Sequence, residues 1–307
     1  MPNTQPKDHL NPAEPVCPTS PADAAAARRG VVRALGRWGV AAVCGAPAVL
    51  ALADERPAAG MFRIGGAGAA MGTMSSALAA LAQRGLSATI RTVANLGSAG
   101  SLRAVEQGAL DVALISRPLN VDERMRGLHA VEYGRTPFAL ATSMQGVSGV
   151  TRKRLAEMIE DPHATWPDGT PVRLVLRPKS DGDHVLLASL GALVELALER
   201  ATTRPGMVIA ITDQEAADAV ARLRGGLGTC SLALLRSGAP SLVALAVDGV
   251  APTVANVENA SYRIVNRMHV ATLGPPKGLA LELLSYLQSP DGLVLLAQLG
   301  HSTRFRR

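Results

Sequence analysis

Apolar and polar positions along the chain alternate between two rhythms. Short apolar or every-second-residue runs predict strands at residues 62–66 (FRIGG), 88–94 (ATIRTVA), 111–115, 172–176, 207–211 and 228–235. Helix-like runs lie between them at 73–84, 101–107, 122–126, 151–160, 184–200 and 215–224. Thr151 is placed to cap the fourth of these helices, and Gly108 and Gly225-Gly226 to end the second and the last. The runs 129–143 (HAVEYGRTPFALATS) and 262–273 read as extended. Residues 279–288 and 292–299 read as helices, the second started by Ser289-Pro290-Asp291. The opening order βαβαβ predicts a layered α/β fold around a parallel sheet, and a second unit begins near Gly146.

The N-terminal region follows neither rhythm. Residues 1–27 are rich in Pro and Ala, and Arg28, Arg29, Arg33 and Arg37 then precede an apolar stretch of 15 residues from Gly39 to Ala53. That stretch is short for a bilayer span. Ala51-Leu52-Ala53 is a small-x-small cleavage site, so residues 1–53 are expected to be an export leader cut after Ala53. Arg28-Arg29 suits twin-arginine export, while Arg37 within the run leaves the general secretory route open. A retained anchor is the alternative. A lipoprotein site at Cys44 is disfavoured by the bulky Val43 before it.

A length of 307 residues and a 48% hydrophobic content suffice for about two domains with a real core. Aromatic residues are only 3%, which disfavours ligands that need stacking platforms. The net charge of +6 is spread along the chain, apart from Arg304-Phe305-Arg306-Arg307. Without a basic block, an RNP motif, a zinc motif or a helix-turn-helix pattern, a small-anion binder is favoured over a nucleic-acid binder. Cys17 and Cys44 lie in the leader and leave Cys230 without an intramolecular disulfide partner.

Catalytic motifs are missing: there is no G-x-S-x-G, S-x-x-K, H-E-x-x-H or C-x-x-C. Gly66-Ala67-Gly68-Ala69-Ala70-Met71-Gly72 is one residue off the dinucleotide fingerprint, and no acidic residue closes the following strand near Ala94. No enzyme activity, cofactor or metal is therefore expected.

Three turns remain that suit anions. They are GGAGAAMGT (65–73), NLGSAGS (95–101) and RPKSDGD (177–183), each between a strand and a helix. Helix N-termini carry unpaired N–H groups and the positive end of the dipole, and Arg177 adds a guanidinium. Any one of them alone also reads as an ordinary connection with glycine as punctuation.

These segments carry a resemblance. GGAGAAMGT, then NLGSAGSLRAVEQGALDVALISRPL, then LRPKSDGD, are similar to the periplasmic phosphate-binding proteins of ABC transporters. So are GLGTCSLALL, VDGVAPTVANVENASYRIVNR and LLSYLQSPDGLVLLAQLG, in order over almost all of the chain after the leader. The resemblance implies a two-lobed, type II periplasmic-binding-protein-like α/β fold. Two extended crossovers, near 135–143 and 262–272, would join the lobes. Lobe 1 would be 54–140 plus 267–307, and lobe 2 141–266.

It also implies the ligand set. Gly68, Ala69, Ala70 and Met71 would offer the first loop, Ser98 a hydroxyl, and Ser116 and Arg117 the turn after the third strand. Arg177 would supply the guanidinium, and Asp181, Gly182 and Asp183 the third loop. Four positions depart from the family pattern. Ala70 stands where a hydroxyl is usual, Arg117 where an aspartate accepts a phosphate proton, Asp183 where a hydroxyl is usual, and Asp181 where a small residue is usual. The opposite signs of Arg117 and Asp183 suggest that they pair across the cleft. The alternative is that Asp183 is a solvent-facing N-cap.

The expected function is that of a periplasmic, non-catalytic solute-binding protein. It would bind phosphate or another small oxyanion as a monomer, contact no nucleic acid, and deliver to an ABC permease in the inner membrane. The first alternative is a sensor or scaffold of the same fold with a degenerate phosphate site. The second is a secreted hydrolase, for which no nucleophile–base motif is present.

Overall fold

A computed structural model describes residues 61–94, 96–239 and 241–304. The chain opens with β1 (Met61–Gly66), α1 (Gly68–Gln83), β2 (Thr89–Val93), α2 (Gly97–Glu106) and β3 (Val112–Ile115). After α3 (Val121–Met125) comes the long β4 (Leu128–Thr142). The next stretch holds β5 (Gly149–Val150), α4 (Arg152–Glu160), β6 (Arg173–Leu176), α5 (Gly182–Ala188), α6 (Ala192–Thr202) and β7 (Val208–Ile209). It continues through α7 (Asp213–Arg222), β8 (Gly226–Ser231), α8 (Leu232–Ser237), β9 (Val243–Val247) and α9 (Val254–Glu258). The described chain ends with β10 (Val265–Leu273), α10 (Leu279–Gln288) and α11 (Pro290–Gln298). The expected leader 1–53 with its cleavage site, Asn95 of the second turn, and residues 305–307 of the basic tail lie outside the described residues.

The strands pair in the order β2-β1-β3-β10-β4-β8-β6-β7, with β9 on β4 and β5 on β9. The flanks are parallel, as strand–helix–strand connections require: β1 pairs with β2 and β3, and β6 with β7 and β8. The middle is antiparallel. β10 pairs with β3 and β4, and β4 with β8 and β9. The expected parallel sheet is thus a mixed one, because the two long extended runs enter its centre in opposite senses. The expected crossovers near 135–143 and 262–272 lie largely in β4 and β10, which pair with each other from Val265↔Pro137 to Leu273↔Leu128.

Side-chain alternation assigns the sheet faces. Val112 and Leu114, Ala139 and Ala141, Val175, Cys230, and Met268 and Val270 join one core with Met74 and Ala77 of α1, Ala216 and Val220 of α7, Leu234 of α8 and Leu283 of α10. Their neighbours one position along point the other way. Ala113 and Ile115 pack with Leu102 and Val105 of α2. Phe138, Leu140, Leu176 and Leu227 pack with Leu155 and Ile159 of α4 and Val194 and Leu198 of α6. Helices therefore cover both faces, as a layered α/β fold requires. The described residues all belong to one compact unit.

Several boundaries differ from the sequence reading. α1 begins at Gly68 and α2 at Gly97, each a few residues before the apolar periodicity starts, so part of each glycine-rich turn is already helix. The expected helix 184–200 is two helices broken at Gly191, whose φ of 145° is readily taken only by glycine. The expected strand 228–235 stops at Ser231, whose hydroxyl accepts from Leu234 N and caps α8.

Candidate functional site

The N-terminus of α1 is narrower in function than its sequence suggests. Ala70 and Met71 donate their N–H groups to Ala67 O, at 3.0 and 3.1 Å, so those amides are consumed within the helix. Ala70 is fully buried in the main core. Ala69 N–H instead donates to Asp213 Oδ2 at 3.2 Å. A Cβ at Gly68 would stand 3.3 Å from both Asp213 Cβ and Gln214 N, so glycine there lets the first turn of α7 approach closely.

Asp213 reaches this place through ordinary capping chemistry. Thr212 Oγ1 accepts from Glu215 N, and Glu215 returns a bond to Thr212 N, which fixes the start of α7. Asp213 is the first helical residue, where a carboxylate also meets the positive end of the dipole. Its other oxygen, Oδ1, accepts from Arg177 Nη2 at 3.1 Å.

Arg177 follows β6, and its side chain is 2% exposed. Nε and Nη2 grip Asp181 at 3.2 and 2.8 Å, and Nη1 donates to Ala210 O at 3.0 Å. Burial works against its charge, but the carboxylates of Asp213 and Asp181 more than offset this and raise its pKa. Asp181 also caps α5, accepting from Asp183 N at 2.9 Å.

Asp183 is buried on the first turn of α5 and accepts from Asn266 Nδ2 of β10 at 3.1 Å. Burial, then the charges of Asp213 and Asp181, push its carboxyl up to about 7. Asp213 is raised as well, chiefly by burial, against the pull of Arg177 and the Ala69 and Gly68 amides.

Neither expectation for Asp183 survives. The N-cap is Asp181, and Asp183 is buried rather than solvent-facing. Nor does Arg117 pair with it. Arg117 chelates Glu123 through Nη1 and Nη2 at 2.8 and 2.7 Å and donates to Pro118 O at 3.0 Å. Glu123 is only six residues away and already held by the capping box of α3 at Asn120, so the local pair orders less chain than a cross-cleft one. The hydrogen bonds from Arg117 are the main cause holding the Glu123 carboxyl below its usual range.

The second turn behaves as a hydroxyl clasp. Ser98 Oγ accepts from Ser116 N at 3.1 Å and lies 3.3 Å from Ser116 Oγ. Ser116 and Arg117 then line, with Gly182, Asp183, Asn266 and Arg267, a cavity of about 280 Å³. Asp213 therefore links the first turn to the third, and Ser116, bonded to Ser98 and lining this cavity with Gly182 and Asp183, links the second to the third.

Asp213 and Asn266 were missed by the sequence reading. Thr212-Asp213-Gln214-Glu215 is a normal helix start, where an acidic residue attracts no notice. The available signal for Asn266 was a polar side chain in an extended run, two residues before the buried Met268. Asn266 Oδ1 is buried with no hydrogen-bond partner among the described residues.

A family model described as a PBP superfamily domain matches residues 52–291. The phosphate-binding protein PstS of Bacillus subtilis (strain 168) is 25% identical over 244 residues, covering 77% of this chain and 78% of the relative. Among solved structures, a Clostridium perfringens protein with bound phosphate, described as a phosphate ABC transporter substrate-binding protein, superposes with a TM-score of 0.65 at 19% identity. It covers 80% of this chain and all of the other. An ABC-type phosphate transport receptor from Vibrio cholerae superposes with a TM-score of 0.55 at 17% identity, covering 79% of this chain and 100% of that one. At these identities the two structures establish the likeness of fold.

Proposed function

The chain belongs to the PBP superfamily, and on that premise we propose that it is an exported, non-catalytic solute-binding protein of the phosphate type. It takes a small oxyanion between two lobes, 54–140 plus 267–307 and 141–266, and hands it to an ABC permease in the inner membrane. The relatives named above are phosphate-binding and phosphate-transport proteins, which supports this solute class. One observation carries the reading: turns distant in sequence line a single cavity, with Ser116 and Arg117 on one wall and Gly182 and Asp183 on another. β4 and β10 are the natural hinge for closure around a solute, since both run through the centre of the sheet. The mature protein works in the periplasm as a monomer after loss of residues 1–53. Among the described residues no helix is long and apolar enough to cross a membrane.

A thermal-shift screen of the mature chain with phosphate, sulfate, tungstate and organic phosphates tests this. A solute raises the melting temperature with its concentration, by mass action. No shift with any of them removes the solute-binding reading. It leaves the second one, a sensor or scaffold of the same fold, which the carboxylates crowded around Arg177 favour.

A further inference from the structure

We infer that Asp213 is a built-in competitor for the anion at Arg177, and so decides which solutes this chain accepts. The inference rests on the solute-binding reading above. An oxyanion held at a helix N-terminus and by a guanidinium receives N–H groups from both. Here Asp213 takes both: Oδ2 accepts from Ala69 N at 3.2 Å, and Oδ1 from Arg177 Nη2 at 3.1 Å. The carboxylate stands as the chain's own tethered anion.

Three further observations agree. Gly68 has no side chain to hold α7 away, and a Cβ there would meet Asp213 Cβ and Gln214 N at 3.3 Å. The remaining donors of Arg177 are directed at Asp181 and Ala210 O, so its Nε and both terminal nitrogens are engaged. Asp183, buried beside them, adds a third carboxyl to the group around one cation. A phosphate brought to this point would add charge to a centre where acidic groups already outnumber the guanidinium. It binds only by displacing Asp213.

The link is intramolecular, so its effective concentration is high and its advantage over a free anion is large. Wild-type affinity for phosphate is accordingly low, and release of the carboxylate raises it.

Calorimetry with inorganic phosphate on wild type, Asp213→Ala and Asp213→Asn tests this. Binding to Asp213→Ala at least tenfold tighter than to wild type is expected. Asp213→Asn keeps the shape, removes the charge, and takes the place of the alanine variant if that one does not fold. Equal affinity in wild type and variant overturns the inference and leaves the solute-binding reading standing. If phosphate binds none of the three proteins, acetate decides. A rise in the melting temperature of Asp213→Ala with acetate, absent in wild type, upholds the place of Asp213 while counting against phosphate as the solute. No rise overturns the inference.

Discussion

At the start of α2, Ser98 and Ser116 meet hydroxyl to hydroxyl, and the turn is tied by neutral hydrogen bonds. At the start of α1, the same kind of strand-to-helix turn faces Asp213, which is bonded to a buried arginine. The two turns look alike in sequence, glycine-rich and ahead of an apolar helix. One has been left neutral and reaches a cavity only through Ser116, and the other is filled by charge from within the chain. A helix N-terminus is thus only an opportunity for an anion; which anion takes it depends on what the rest of the fold delivers there.

The contrast can be broken most forcefully at Arg177. Arg177→Met removes the buried cation shared by the partly exposed carboxylates of Asp181 and Asp213, with an expected loss of about 3 kcal/mol in urea unfolding. An unchanged midpoint would mean that the charged turn is no more than a surface-like contact.

The second break is by pH. Asp183 holds its proton more tightly when folded, at about 7 against an ordinary value of 3.8. Unfolding therefore releases protons between those values, and this group makes stability fall as pH rises through the window and rise as pH is lowered through it. Asp183→Asn flattens that part of the profile of melting temperature against pH. A slope equal to that of wild type would place the titration elsewhere.

The smallest effect belongs to the neutral turn. Ser98→Ala leaves Ser116 N without its acceptor and costs about 1 kcal/mol, the usual size for one hydrogen bond that is not deeply buried. Its loss is expected to be insensitive to pH between 4 and 7, in contrast to Asp183→Asn. A pH-dependent loss would show that the two turns are electrically coupled after all.

Much of the fold was readable because it rests on local pattern. The run ATIRTVA gave β2, the capping residues Thr151 and Ser289 gave α4 and α11, and the long extended runs gave β4 and β10. The start of α1 was misjudged because Gly68 is a poor helix former, and Gly68, Ala69 and Ala70 are helical through tertiary packing under α7 and α8. The break at Gly191 was hidden inside an unbroken apolar periodicity on both sides. The pairing of Arg117 with Asp183 failed because Glu123 lies closer along the chain and is already fixed by Asn120.

By itself the sequence determined the layered α/β order of elements and the three candidate turns. These are properties of single residues and short periods, and they are carried by the chain whatever surrounds them. Tertiary structure alone decided which charges meet. Asp213 lies 36 residues beyond Arg177 and 144 beyond Ala69, and a distance of about 3 Å across such separations comes only from the pairing order of the sheet and the packing of α7 on α1.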